Sequence, residues 1–154
     1  MKVLVVFDTV SPEKLTMKVA ELIGATLQKK GFEVDSCFVK DVGKFVVGNY
    51  DCLLAGGPTM YLRASKGVMG FLDGLKGMEF SGKRAAAFDT QGEYRMSRNA
   101  AKAIDGKLHK LGFMIVAPPL VAYVEGKLNQ MHMKEGELEK AKSWSLTVAE
   151  ALCK

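Results

Sequence analysis

Lys2-Val3-Leu4-Val5-Val6-Phe7 runs directly into Asp8-Thr9-Val10-Ser11-Pro12-Glu13-Lys14-Leu15-Thr16, and how that junction is read decides the fold. Val3–Phe7 is an unbroken apolar run, the pattern of a parallel strand covered on both faces. From Met17 to Lys30 the period changes: Val19, Ala20, Ile23 and Leu27 recur on one side, Lys18, Glu21 and Gln28 on the other. A strand, a polar turn and a helix starting near Thr16 or Met17 are therefore expected. In an open parallel sheet the first such turn is where ligand phosphates sit. The leading amides of the helix have no intrahelical partner there, and its dipole adds partial positive charge. Thr9, Ser11 and Thr16 offer hydroxyls and Lys14 a cation. Against this, the turn has no glycine, Pro12 cannot donate, and Glu13 carries the charge of a phosphate.

The same alternation continues outward. Gly31 follows Lys29-Lys30 as a C-cap. Phe32–Val39 intersperses Glu33 and Asp35 with apolar residues, as an edge strand would. Lys40–Asn49 reads as a linker or partial helix broken by Gly43 and Gly48. Tyr50–Ala55 reads as a buried strand ending at Gly56-Gly57-Pro58-Thr59. A helix over Ala64–Leu75 follows, with Val68, Met69, Phe71 and Leu72 inward and Gly67, Gly70 and Gly74 weakening it. Arg84–Phe88 is the next strand, Asp89–Arg95 a polar loop, and Ser97–Leu111 an amphipathic helix closed by Gly112. Phe113–Ala117 is a strand interrupted by Pro118-Pro119, which Leu120–Val124 extends along an edge. Glu125–Lys134 reads as a loop. The last helix, from Glu135 to about Leu152, places Leu138, Ala141, Ser145, Val148, Ala149 and Leu152 on one stripe. Five strands alternating with helices predict a single α/β domain over residues 1–154, a three-layer sandwich on a parallel sheet.

Bulk properties narrow the function. The 154 residues fit one domain, and 48% hydrophobic with 25% charged residues is ordinary for a globular chain. No apolar run approaches the ~20 residues that span a bilayer, and the first strand is too short for a signal-peptide core, so a cytoplasmic location is expected. Lys and Arg number 22 against 17 Asp and Glu, a net charge of +5. The sequence shows neither a block of like charge nor a basic-aromatic stripe, so nucleic acid is not an expected partner; a diffuse positive surface suits an acidic protein instead. The three cysteines, Cys37, Cys52 and Cys153, lack metal-ligand spacing. His109 and His132 have no partners at catalytic spacing, so covalent or acid–base catalysis by the protein is not indicated.

Chemistry belongs at the strand ends. The loops after strands one, three and four converge beyond the carboxyl edge of such a sheet, where ligands bind at the switch in strand order. Gly56-Gly57-Pro58-Thr59-Met60-Tyr61 offers free backbone groups and an aromatic; equally, Thr59 could serve as a helix cap. Asp89-Thr90-Gln91-Gly92-Glu93-Tyr94 offers polar groups and a second aromatic, which could instead pack on a helix. Two tyrosines in adjacent loops suit a flat aromatic ligand.

Phe7-Asp8-Thr9, Gly57-Pro58-Thr59, the Lys83–Phe88 strand before a loop holding Gly92, Gly112-Phe113 and Pro119-Leu120 together resemble short-chain flavodoxins. They resemble more closely the flavodoxin domain of flavo-diiron proteins and its stand-alone relatives, over nearly the whole chain. The resemblance implies strand order 2-1-3-4-5, which is that of flavodoxin, and bound flavin mononucleotide (FMN). It implies a phosphate held by Thr9, Ser11 and Thr16, with Lys14 as the nearby cation. The ring would lie between Pro58, Thr59, Met60 and Tyr61 on one side and Thr90, Gln91, Gly92 and Tyr94 on the other. The implied activity is electron transfer with a redox partner protein. Three departures stand out. The first loop is longer than the family's and lacks its glycine, so Glu13 is expected to point outward toward Lys14 or Lys18. Asp89-Thr90 replaces a Gly-Ser pair, and the basic charge differs from the family's usual acidity, pointing to an acidic partner. Two other functions stay open: a module that keeps the fold without FMN, and a small FMN-dependent NAD(P)H:quinone-type reductase.

Overall fold

Lys2–Phe7 forms β1, one strand in from the edge of the sheet, with β2 outside it and the later strands added on its other side. A computed structural model describes residues 1–60, 63–93 and 99–154. After β1 come α1 (Leu15–Lys29), β2 (Glu33–Phe38), two short 3-10 turns (Val39–Lys44 and Val47–Asn49), β3 (Cys52–Met60) and β4 (Arg63–Ala64). Then follow α2 (Lys66–Asp73), β5 (Arg84–Gly92), α3 (Ala100–Lys110), β6 (Met114–Ile115), β7 (Leu120–Lys127), β8 (Gln130–Met133) and α4 (Glu137–Leu152). The order across the sheet is β2-β1-β3-β5-β7-β8. β2, β1, β3, β5 and β7 are parallel, which is the expected 2-1-3-4-5 arrangement, and β8 adds an antiparallel edge.

Strand periodicity divides the core in two. Val3, Val5, Phe7, Leu54, Ala86 and Phe88 face α1 and α4, where Val19, Ile23, Leu27, Trp144 and Val148 meet them. Their neighbours Leu4, Val6, Leu53, Ala85 and Ala87 face α2 and α3, against Val68, Leu72, Ile104 and Leu108. Fully burying one such aliphatic side chain contributes about 1.5–3 kcal/mol. Ile23→Ala would leave a hole at the α1 interface costing about 2–5 kcal/mol.

Several boundaries differ from the sequence reading. β3 does not stop at Ala55, nor β5 at Phe88: both continue about four residues, with Gly56↔Phe88, Gly57↔Asp89 and Pro58↔Thr90 still paired. Gly56 is a floor, not a turn; a Cβ there would lie 2.2 Å from the Phe88 ring. α2 is shorter than Ala64–Leu75, because Ala64 is taken by β4, which pairs back on Thr59 and Met60. α1 starts at Leu15, slightly earlier than read. The helix read over Ser97–Leu111 is α3, starting at Ala100 with Asn99 as its cap (Asn99 Oδ1 to the Lys102 amide, 2.9 Å).

The fifth parallel strand is split. β6 lies beside Arg84–Ala85 and β7 beside Phe88–Gly92, with Pro118-Pro119 between them supplying no amide donor. The Pro118 carbonyl is used instead by Trp144 Nε1, at 2.7 Å. Glu125–Lys134 is not a loop but the β7–β8 hairpin, turning at Leu128-Asn129 with Asn129 in the left-handed region. On α4 the expected stripe holds except at Leu138, which is 42% exposed. Glu137 turns inward in its place, accepting the Tyr123 amide at 2.8 Å.

Candidate functional site

The strand order reverses at β1, with β2 on one side and β3 on the other, so the sheet opens into a crevice beyond their carboxyl ends. A cavity of about 620 Å³ lies there, lined by Asp8 and Val10 after β1 and by Met60, Arg63, Ala64, Ser65, Lys66 and Gly67 from the end of β3 to the start of α2. That volume is in the range of small-molecule sites. A second cavity, about 630 Å³, sits at the opposite pole between the C-terminal ends of α1 and α4, far from the convergent loops.

The first loop is held from several sides. The Asp8 amide donates to the Gly56 carbonyl at 3.0 Å, and the Asp8 carboxylate accepts the Thr9 amide at 2.9 Å. Gly67 permits this placement, since a Cβ there would come within 2.5 Å of Asp8 Oδ2. Lys14 is exposed and takes the left-handed conformation (φ 52°) just before α1, a geometry glycine adopts without strain. α1 begins with no side-chain cap and no acid in its first turn.

Thr16 is 2% exposed, and its hydroxyl lies 2.7 Å from that of buried Thr90 on β5. Ser11 is partly exposed, and its hydroxyl is engaged by Glu13. Glu13 does not turn to Lys14 or Lys18 as expected: Glu13 Oε1 accepts the Met131 amide of β8 at 3.0 Å. That bond, the residue's own amide and Ser11 hold its carboxyl below the usual carboxylate range, Lys18 acting only as a distant charge. The hairpin absent from the sequence reading thus closes over the first loop. Lys134, just beyond β8, pairs with Glu93 after β5.

On the other side, Thr59 is partly buried. Its hydroxyl donates to Asp89 Oδ2 (2.9 Å) and accepts the Ala100 amide (2.8 Å), so it helps cap α3 rather than the helix next in sequence. Asp89 is completely buried; Oδ2 also accepts the Ala101 amide at 3.2 Å, while Oδ1 has no hydrogen-bond partner among the described residues. Burial pushes its pKa up to about 6, against the opposing pull of the Ala101 amide and the Thr59 hydroxyl. Gln91 is buried with its Oε1 3.5 Å from the Thr59 hydroxyl, Pro58 and Gly92 are partly exposed, and Met60 is exposed at the cavity rim. Tyr61 and Tyr94 lie outside the described residues.

Of the residues read from sequence, Met60 lines the cavity; Thr9, Ser11 and Lys14 lie in the loop between β1 and α1, Thr16 at the start of α1, and Pro58 and Thr59 near the end of β3. Thr90, Gln91 and Gly92 lie on the extended end of β5 rather than in a loop. Arg63, Ser65 and Lys66 were not singled out from sequence. The Ser65 hydroxyl, on a residue 4% exposed, has no hydrogen-bond partner among the described residues. The signal for them was two cations flanking Ser65 just where α2 begins.

For a flavin nucleotide the two ends of the crevice differ. The cavity beside β3 and α2 is of suitable size and offers apolar contact from Val10, Met60 and Ala64, with Asp8, Arg63 and Lys66 as its charged groups. At the start of α1 the helix N-terminus is present, but the Thr16 hydroxyl is already bonded to Thr90.

These features define an open, doubly wound α/β protein with a ligand crevice at its topological switch point. Among solved structures, the chain superposes on a flavodoxin from the domain Archaea with TM-score 0.79 and 23% identity, each chain covered over 100% of its length. It superposes on flavodoxin 2 from Bacillus cereus with TM-score 0.79 and 21% identity, over 97% of this chain and 99% of that one. The rubredoxin oxygen:oxidoreductase of Desulfovibrio gigas matches with TM-score 0.78 and 21% identity over 99% of this chain, which spans only 36% of that protein. The chain has the flavodoxin fold. No protein-family model matches the sequence, and no curated protein matches it.

Proposed function

We propose that the chain binds FMN in the β1–β3–β5 crevice and carries electrons between protein partners. The observation that carries this reading is a ligand-sized cavity between the loop after β1 and the segment from the end of β3 to the start of α2, at the switch in strand order. When bound, a flavin supplies one- and two-electron chemistry. The chain's own residues bind and shape. Val10 and Met60 give one wall apolar surface, and Thr59, fixed by Asp89 and the start of α3, holds the β3 end rigid. Thr9, Ser11 and Lys14, with Thr16 at the start of α1, are the residues for the phosphate; Pro58, Thr59, Met60, Thr90, Gln91 and Gly92 are those for the ring. The net charge of +5 favours an acidic redox partner.

Titration of the purified chain with FMN tests the reading. A shift of the visible flavin bands and quenched flavin fluorescence are expected; an unshifted spectrum at saturating FMN overturns it. A second reading, a module for a non-flavin anionic ligand, is favoured by Arg63 and Lys66 at the same cavity. In that case a phosphorylated ligand stabilises the chain and FMN does not. Sustained NAD(P)H oxidation by the flavin-loaded chain without a partner reductase would make it a small reductase rather than a carrier.

A further inference from the structure

The loop that should meet a ligand's phosphate already holds an anion, and that anion is its own side chain. Glu13 Oε1 sits 3.0 Å from the Met131 amide. With that bond first, the Glu13 amide and the Ser11 hydroxyl also help hold the carboxyl below the usual carboxylate range. These are the donor types that cradle phosphate at a helix N-terminus. The Thr16 hydroxyl is turned to Thr90 at 2.7 Å. α1 has no acid in its first turn, so no other carboxylate there shares the field at its N-terminus.

We infer that Glu13 is the specificity-determining residue of the crevice: its carboxylate stands in for a ligand phosphate on the β1–α1 loop, so the native chain scarcely distinguishes FMN from riboflavin. This rests on the reading that the crevice takes a flavin. Two anions cannot share these donors. At ~5 Å in a medium of effective dielectric ~20 their repulsion weakens binding on the order of a hundredfold before salt screening. To accept a phosphate, the carboxylate must leave, and it then gives up the Met131 amide that ties β8 to the loop. Removing the charge therefore benefits the phosphorylated ligand alone, since riboflavin shares the ring and lacks the phosphate.

The test uses the full chain and two variants. Glu13→Gln removes the charge and keeps an acceptor for Met131, and Glu13→Ala removes both. Riboflavin and FMN are titrated into each, with far-ultraviolet circular dichroism as the check on folding. In the native chain the two dissociation constants should lie within a few-fold of one another. In both variants FMN should tighten by about tenfold or more while riboflavin stays put. Equal shifts for both flavins, or no gain for FMN, overturn the inference. A native chain that already prefers FMN by orders of magnitude does the same. Should neither flavin bind any of the three proteins, the flavin reading fails by itself. Inorganic phosphate then decides the role of Glu13. Raised melting temperatures for the variants but not for the native chain support it, and no rise in the variants refutes it.

Discussion

Asp89→Asn should make the protein more stable near neutral pH and change it little in acid. The side chain is fully buried, one oxygen shared by the Thr59 hydroxyl and the Ala101 amide and the other without a hydrogen-bond partner among the described residues. Burial dominates and raises its pKa from 3.8 to about 6. A carboxyl whose folded pKa is raised contributes stability that is fully present below its unfolded pKa and is lost as pH rises through the folded one. The window is thus from below about pH 4 to above about pH 6. At about 1.4 kcal/mol per pH unit, ionisation of Asp89 costs on the order of 3 kcal/mol by neutrality. Asparagine keeps the shape and one acceptor for Thr59 and Ala101 while removing the charge. Urea unfolding followed by circular dichroism, at about pH 4.5 and about pH 7.5, should show the variant gaining about 2 kcal/mol relative to the native chain between the two. A difference between the two proteins that does not change with pH would refute the buried-carboxylate argument, whatever its absolute size.

Other consequences can be checked by the same unfolding measurements. Lys14→Gly should raise stability by about 1 kcal/mol, because glycine takes the left-handed conformation without a Cβ clash; a loss would show that the lysine side chain has a compensating contact. Gly67→Ala should cost about 1–3 kcal/mol through the 2.5 Å approach to Asp8 Oδ2, and adding Asp8→Ala should recover most of it; an unaffected Gly67→Ala protein would contradict that packing. Thr16→Val leaves the Thr90 hydroxyl buried without its partner and should cost about 1–3 kcal/mol. The Thr16→Val, Thr90→Val double variant should cost clearly less than the two single changes added, and strict additivity would deny the bond.

The parts of the fold legible in sequence were those set by local pattern. β1 and α1 follow from an apolar run and a 3.6-residue period, and the parallel order follows from the alternation of such units. What stayed hidden depended on residues far away. Gly56-Gly57-Pro58 resembles a turn until Phe88, on another strand, is seen to need a surface without a Cβ. Lys127-Leu128-Asn129-Gln130 has no strand alternation, yet it turns a hairpin because Asn129 accepts a positive φ. Leu138 was read inward from spacing alone; the Tyr123 amide, which draws Glu137 in, cannot be seen from the helix.

The candidate site shows the same division at the level of single groups. A place for it beyond the carboxyl ends of the strands, at the switch in strand order, follows from the order of the sheet alone. The employment of its side chains does not: Thr16 meets Thr90 across 74 positions, and Glu13 meets Met131 across 118. Each of these bonds joins a loop at the crevice to a different element, and Thr59 does so again between β3, β5 and α3. The hydroxyls that composition offers to a ligand therefore work largely as braces between loops. A crevice braced in this way pays little ordering entropy when it closes on a ring, which favours binding by shape and backbone contact. It also leaves few side-chain donors free for a charged tail, so recognition of a phosphate turns on whether Glu13 lets go of Met131.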